Sequence, residues 1–145
     1  MINIGKLSCV AIIVFFSSAA VLADQLASTA TPMSSDAISK IYSGKTAVWK
    51  SSEMYFSPDG TVKGLYGKPK PTSPFSGTWS VNGNELCATV AFSDKPTTYT
   101  DCWKWWTDGK KLVTLWSKHN DNSAVDETHG YFKEIEFRRG DLVSK

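Results

Sequence analysis

Apolar and polar positions change rhythm at Lys45. From there to the C-terminus, runs of roughly five to nine residues rich in Val, Thr, Trp, Tyr and Phe alternate with turn chemistry, which is the pattern of short antiparallel strands. It predicts strands over Thr46–Lys50, Glu53–Phe56, Thr61–Tyr66, Ser76–Val81, Glu85–Phe92, Thr98–Trp106, Lys111–Trp116 and Tyr131–Phe137. Ser57-Pro58-Asp59-Gly60, Asn82-Gly83 and Asp108-Gly109 carry the residues that tight hairpins require. Gly67–Pro74 (GKPKPTSP) has three prolines that cannot donate to a ladder and reads as a surface loop, and Ser117–Thr128 reads as a longer polar loop. Seven or eight consecutive strands of this kind must curl or fold over, because a flat sheet leaves open edges and a bare apolar face. The expected fold is therefore all-β: an antiparallel up-and-down meander forming a partly closed, lipocalin-like barrel or a sandwich.

Before Lys45 the pattern differs. Ser35 or Asp36 can cap a short helix over Ala37–Tyr42, with Ile38, Ile41 and Tyr42 on one face and Gly44 ending it. Such a helix is placed to plug one end of the sheet. Residues 24–34 (DQLASTATPMS) are small, polar and aperiodic, which reads as a flexible lead-in to a single domain over residues 35–145. Residues 1–23 have one lysine, an apolar run over Leu7–Phe16 and small residues ending in Val21-Leu22-Ala23, the three parts of a secretory signal peptide cleaved after Ala23. The apolar run breaks at Ser17-Ser18, short of the roughly 20 residues that span a bilayer, so no stable membrane anchor is expected after cleavage. Cys9 does not fit a lipid-modification site, because Lys6 stands where an aliphatic residue is wanted. The expected location is periplasmic or secreted.

Loss of the signal removes Lys6 and no acid, so the 16 basic and 14 acidic residues of the chain leave a mature charge close to neutral. That provides no electrostatic footprint for nucleic acid or an anionic membrane surface. It also removes Cys9, which leaves Cys87 and Cys102 in a compartment where thiols oxidise and predicts that they are bonded. Pairing Cys87 with Cys102 across adjacent strands sets Glu85 opposite Lys104 and Leu86 opposite Trp103. Leu86, Ala88 and Val90 then share a core face with Trp103, Asp101 and Tyr99, with Asp101 as the misfit. A slip of one residue would put the lysine on that face instead.

No arrangement in the sequence has the spacing of a catalytic or metal site. His119 and His129 stand near Asp121, Asp126 and Glu127, but in no recognised ligand motif, and a polar loop solvates such groups anyway. The serines have no nucleophile-elbow context and both mature thiols are committed to the bridge. Arg139-Gly140-Asp141 matches a receptor-read tripeptide, yet Gly-Asp is ordinary turn chemistry. The chain is rich in aromatics, with six tryptophans, five tyrosines and seven phenylalanines, and every tryptophan falls in a predicted strand. Aromatics are what a small core uses. However, Trp105 and Trp106 are adjacent and must point to opposite faces. Shared-face logic assigns Trp105, with Trp103, to the interior and Trp106 to the Cys87 face, which makes Trp103, Trp105 and Trp106 the candidate binding aromatics.

The strings IYSGKTAVW, YFSPDGTVKG and GTWSVNGNELC, followed by the second cysteine in TDCW, together resemble the domain-of-unknown-function family numbered 995, small secreted proteins of Gram-negative bacteria. The likeness spans Ile41 to about Trp116; the chain departs from it in lacking a glycine-rich stretch before Tyr55-Phe56. The resemblance implies export and a disulfide-bearing β fold, and brings no catalytic residue and no cofactor. The reading favoured by the sequence is a non-enzymatic binding or envelope-associated protein that takes a small apolar ligand or a protein on an aromatic cavity or face. The alternative is a secreted, protein-directed inhibitor or interaction factor acting through its loops, Gly67–Pro74 or Ser117–Thr128.

Overall fold

The computed structural model of the protein describes residues 25–67, 70, 72–119, 123–124 and 135–143. The expected signal peptide and its cleavage site, Cys9, His129, Asp121, Asp126, Glu127 and the start of the Tyr131–Phe137 strand lie outside the described residues.

Hairpin follows hairpin along the chain. After β1 (Thr31–Pro32) and helix α1 (Ser35–Tyr42) come β2 (Lys45–Val48), β3 (Ser52–Phe56), β4 (Thr61–Tyr66), β5 (Ser73–Asn82), β6 (Glu85–Phe92), β7 (Thr98–Asp108), β8 (Lys111–His119), β9 (Ser123–Ala124) and β10 (Glu136–Arg139). All pairings are antiparallel, in the order β10-β2-β3-β4-β5-β6-β7-β8-β9, with β1 lying on β7 beyond the end of β6. The result is a meander curled into a half-barrel. Its connections fall at two ends. Residues 57–60, 83–84 and 109–110 turn the chain at the end where α1 packs, and the Ser35 hydroxyl donates there to the Gly83 carbonyl at 2.9 Å. Residues 49–51 and 93–97 turn it at the opposite end, where β4 ends at Tyr66 and β5 begins at Ser73.

Curling is visible in contacts between strands that are not neighbours in the sheet. Tyr42 of α1 meets Phe56 on β3, Phe137 on β10 and Trp105 on β7, all edge-on with centroids 4.6 to 5.8 Å apart. Trp49, just after β2, stacks on Trp103 of β7 at 5.8 Å and 25°. The core is built around these rings: Ile38, Tyr42, Ala47, Phe56, Leu86 and Trp105 are fully buried. Gly64 makes one close approach possible. It lies between Met54 and Phe75 in the sheet, and a Cβ there would strike the Phe75 ring and the Glu53 carbonyl. Its lack of a side chain is what lets the phenyl ring lie across β4.

The Cys87–Cys102 disulfide joins β6 to β7, and the register around it is the one expected, with Glu85 opposite Lys104, Leu86 opposite Trp103 and Val90 opposite Tyr99. In several places the boundaries differ from those read in the sequence. The helix starts at Ser35 because Ser34 is its cap, with the Ser34 hydroxyl accepting from the Ala37 amide at 3.3 Å. Thr31–Pro32 of the expected lead-in pairs with Trp106 and Thr107, and the Met33 amide donates to the Trp105 carbonyl at 3.0 Å. The β5 strand takes in Ser73 and Pro74, since a proline so near the start of a strand can be accommodated without its ladder donor. Between β5 and β6 the two connecting residues are Gly83 and Asn84, one step later than the Asn82-Gly83 reading, and Gly83 takes the positive φ of 59° that the turn requires. Gly140 turns as expected, with a φ of 77°, and the Asp141 carboxylate accepts from the Val143 amide at 3.1 Å.

Candidate functional site

Above the Trp49–Trp103 stack, away from α1, the concave face of the sheet encloses a cavity of about 650 Å³. Its walls come from β2 to β8 and from β10. Met54, Phe75, Val90, Phe92, Tyr99 and Trp116 are among its apolar lining. The aromatic groups are in mutual contact: Phe92 sits edge-on to Phe75 and to Tyr99, each at 5.5 Å, and to Tyr66 at 6.1 Å. Tyr66, 48% exposed, is the large hydrophobic side chain most open to solvent among the described residues, and it lies on the lip. Lys95 places its ammonium 5.2 Å from the centre of the Phe92 ring, within cation–π range.

The polar part of the cavity depends on a β-bulge. Trp103 lies opposite Trp116 and Cys102 opposite Lys118, so Ser117 is an extra residue on β8. Strict alternation would send residues 116 and 119 to opposite faces. The extra residue reverses the phase, and both Trp116 and His119 face the cavity. His119 then meets Asp101 of β7, Nδ1 to Oδ1 at 3.1 Å, and its ring packs against Trp116 with centroids 3.9 Å apart. Asp101, the misfit on the apolar face of β7, thus has a partner on the next strand. The contact also corrects the reading of His119 as a loop residue merely solvated: β8 runs through it. The Ser117 hydroxyl, displaced by the bulge, donates to Glu85 Oε1 at 2.6 Å.

The three candidate aromatics are not brought together. Trp103 lines the cavity. Trp105 lies deeper, fully buried in the core, with its Nε1–H donated to the Tyr42 hydroxyl at 3.1 Å. Burial raises the Tyr42 hydroxyl well above the ordinary tyrosine pKa, against the smaller opposing effect of that hydrogen bond. Trp106 is half-buried on the opposite face, the one carrying the disulfide, with Pro32 as its sheet neighbour. Sequence reasoning missed Trp49, Trp116, Asp101 and His119 as parts of one site. The signal for Asp101 was its very misfit among apolar neighbours; for His119 no signal existed without the bulge.

Among the described residues, the group with ligand atoms close enough to hold a metal is Glu85, Cys87 and Cys102. The two sulfurs there are bonded to each other, so neither is a thiolate, the form in which cysteine binds metals. No helix of the described residues is long and apolar enough to cross a membrane.

The family model described as "Protein of unknown function (DUF995)" matches residues 10–125, more than half of the chain. No curated protein and no solved structure matches it.

Proposed function

This chain belongs to the DUF995 family, and from that premise and the cavity we propose that it is a non-enzymatic binding protein, exported to the periplasm or beyond the cell, which holds a small, largely apolar ligand. One observation carries the reading. A cavity of about 650 Å³, within the range of drug-sized ligand sites, is walled by aromatic and aliphatic side chains at the end of the half-barrel that α1 leaves open. A curled sheet of this size needs an interior filled by side chains. Here α1 and the Tyr42, Phe56 and Trp105 rings fill one half only, and the other half is left for a ligand.

The few polar groups in the cavity orient the ligand. Asp101 holds His119 through Nδ1, which fixes the plane of the imidazole at the lip. Export is supported by the signal-peptide pattern of residues 1–23 and by the cross-strand disulfide. Native mass spectrometry of the protein isolated from its own host tests the reading. Binding predicts a discrete added mass that is lost when the protein is denatured and is recovered as an organic molecule. A protein carrying only its own mass, which then takes up no apolar compound in solution, contradicts it.

A further inference from the structure

Charge at the open end of the half-barrel narrows the ligand class. Each of the three turns described at that end carries an exposed lysine: Lys50 between β2 and β3, Lys70 between β4 and β5, and Lys95 between β6 and β7. Among the described residues none of these ammonium groups is in an ion pair; Lys95 is instead held over the Phe92 ring at the lip. Among the described acids at the same end, two have partners. Asp101 is bound to His119, and Glu136 accepts from the Arg138 guanidinium at 2.8 Å, leaving Asp94 as the exposed counter-charge on these turns. The cavity beneath is apolar. Resting on the ligand-binding reading above, we infer that the ligand is a single-chain amphiphile, its hydrocarbon body inside the aromatic cavity and its anionic head group among the lysines of the mouth.

A carboxylate or phosphate head fits this arrangement better than a neutral or cationic one. It stays hydrated at the lip, so no charge is buried, while Lys95 at the lip and the exposed lysines of the neighbouring turns attract it. The aromatic walls accept methylene chains and ring systems alike, so the head group and not the tail is where discrimination arises.

Displacement of the neutral fluorophore N-phenyl-1-naphthylamine from the purified protein tests this, with laurate, dodecyl phosphate, 1-dodecanol and dodecylammonium as competitors. Laurate or dodecyl phosphate is expected to compete about tenfold better than dodecanol, an advantage that shrinks at high salt as screening removes the rim contribution. Replacing Lys50, Lys70 and Lys95 together by Gln is expected to abolish that preference. Which of the two anions binds more tightly separates a carboxylate from a phosphate ligand. Equal or better competition by dodecanol or dodecylammonium, or a preference that survives the triple substitution, overturns the inference while the cavity reading stands. If the fluorophore itself does not bind, both fall.

Discussion

The indole of Trp105 donates its Nε1–H to the hydroxyl of Tyr42 at 3.1 Å, tying the sheet to the helix that plugs it. Both residues are fully buried, whereas the neighbouring Trp106 is half-buried on the other face of the same strand. Trp105→Ala is therefore expected to cost about 3 to 5 kcal/mol of stability and Trp106→Ala much less. Tyr42→Phe keeps the ring but strands a buried N–H, at a cost of about 1 to 3 kcal/mol. Urea unfolding of the three variants measures all of this; equal losses for Trp105→Ala and Trp106→Ala would contradict the two-faced description of β7.

Stability should also fall in alkali. Burial keeps Tyr42 protonated in the folded chain, while the unfolded chain releases that proton near the ordinary tyrosine value of about 10. The folded state holds the extra proton above that pH, so its stability is undiminished below about pH 10 and declines as the pH rises further. In Tyr42→Phe this decline should be shallower. Unfolding free energies measured from pH 8 to above 10 in both proteins check it, and parallel curves would assign the decline to other groups.

Reduction of Cys87–Cys102 releases the tie between β6 and β7. Chain-entropy reasoning for a loop of this length gives a stabilisation of about 3 kcal/mol, so a Cys87→Ala/Cys102→Ala variant should melt well below the oxidised protein while keeping its strands. Thermal unfolding followed by circular dichroism reads it. Free thiols in the denatured, non-reduced protein would show that the bond is not formed.

Gly64→Ala is expected to disturb the cavity wall. Its Cβ would collide with Phe75 and with the Glu53 backbone, and the backbone cannot yield as a flexible side chain can. A loss of about 1 to 3 kcal/mol is anticipated, with the Phe75 ring driven toward the cavity. A thermal shift of the variant near zero would show that the wall has slack.

Much of this fold can be read from the sequence because its signals are local. Asp-Gly and Pro-Asp-Gly turns sit between runs of β-branched and aromatic residues, and the charge pair Glu85–Lys104 agrees with the cysteines on one register. The site was only half legible. Trp103 could be named as an inward aromatic, but its partner Trp49 comes from the far side of the curl, and curvature leaves no mark at a single position. The Asp101–His119 pair depends on one unpaired residue, Ser117, in a stretch whose polar composition resembles a loop. Alternation cannot foresee a bulge, and every position beyond one is read on the wrong face. The division between Trp105 and Trp106, in contrast, followed from adjacency alone.

Whether the space above the Trp49–Trp103 stack is a ligand site is settled most directly by titrating N-phenyl-1-naphthylamine into the native protein and into Trp103→Ala. Saturable binding at one site, accompanied by quenching of tryptophan emission, and clearly weakened in Trp103→Ala while the variant remains folded, is the predicted result. No saturable binding by the native protein, or equal binding by the variant, would contradict it.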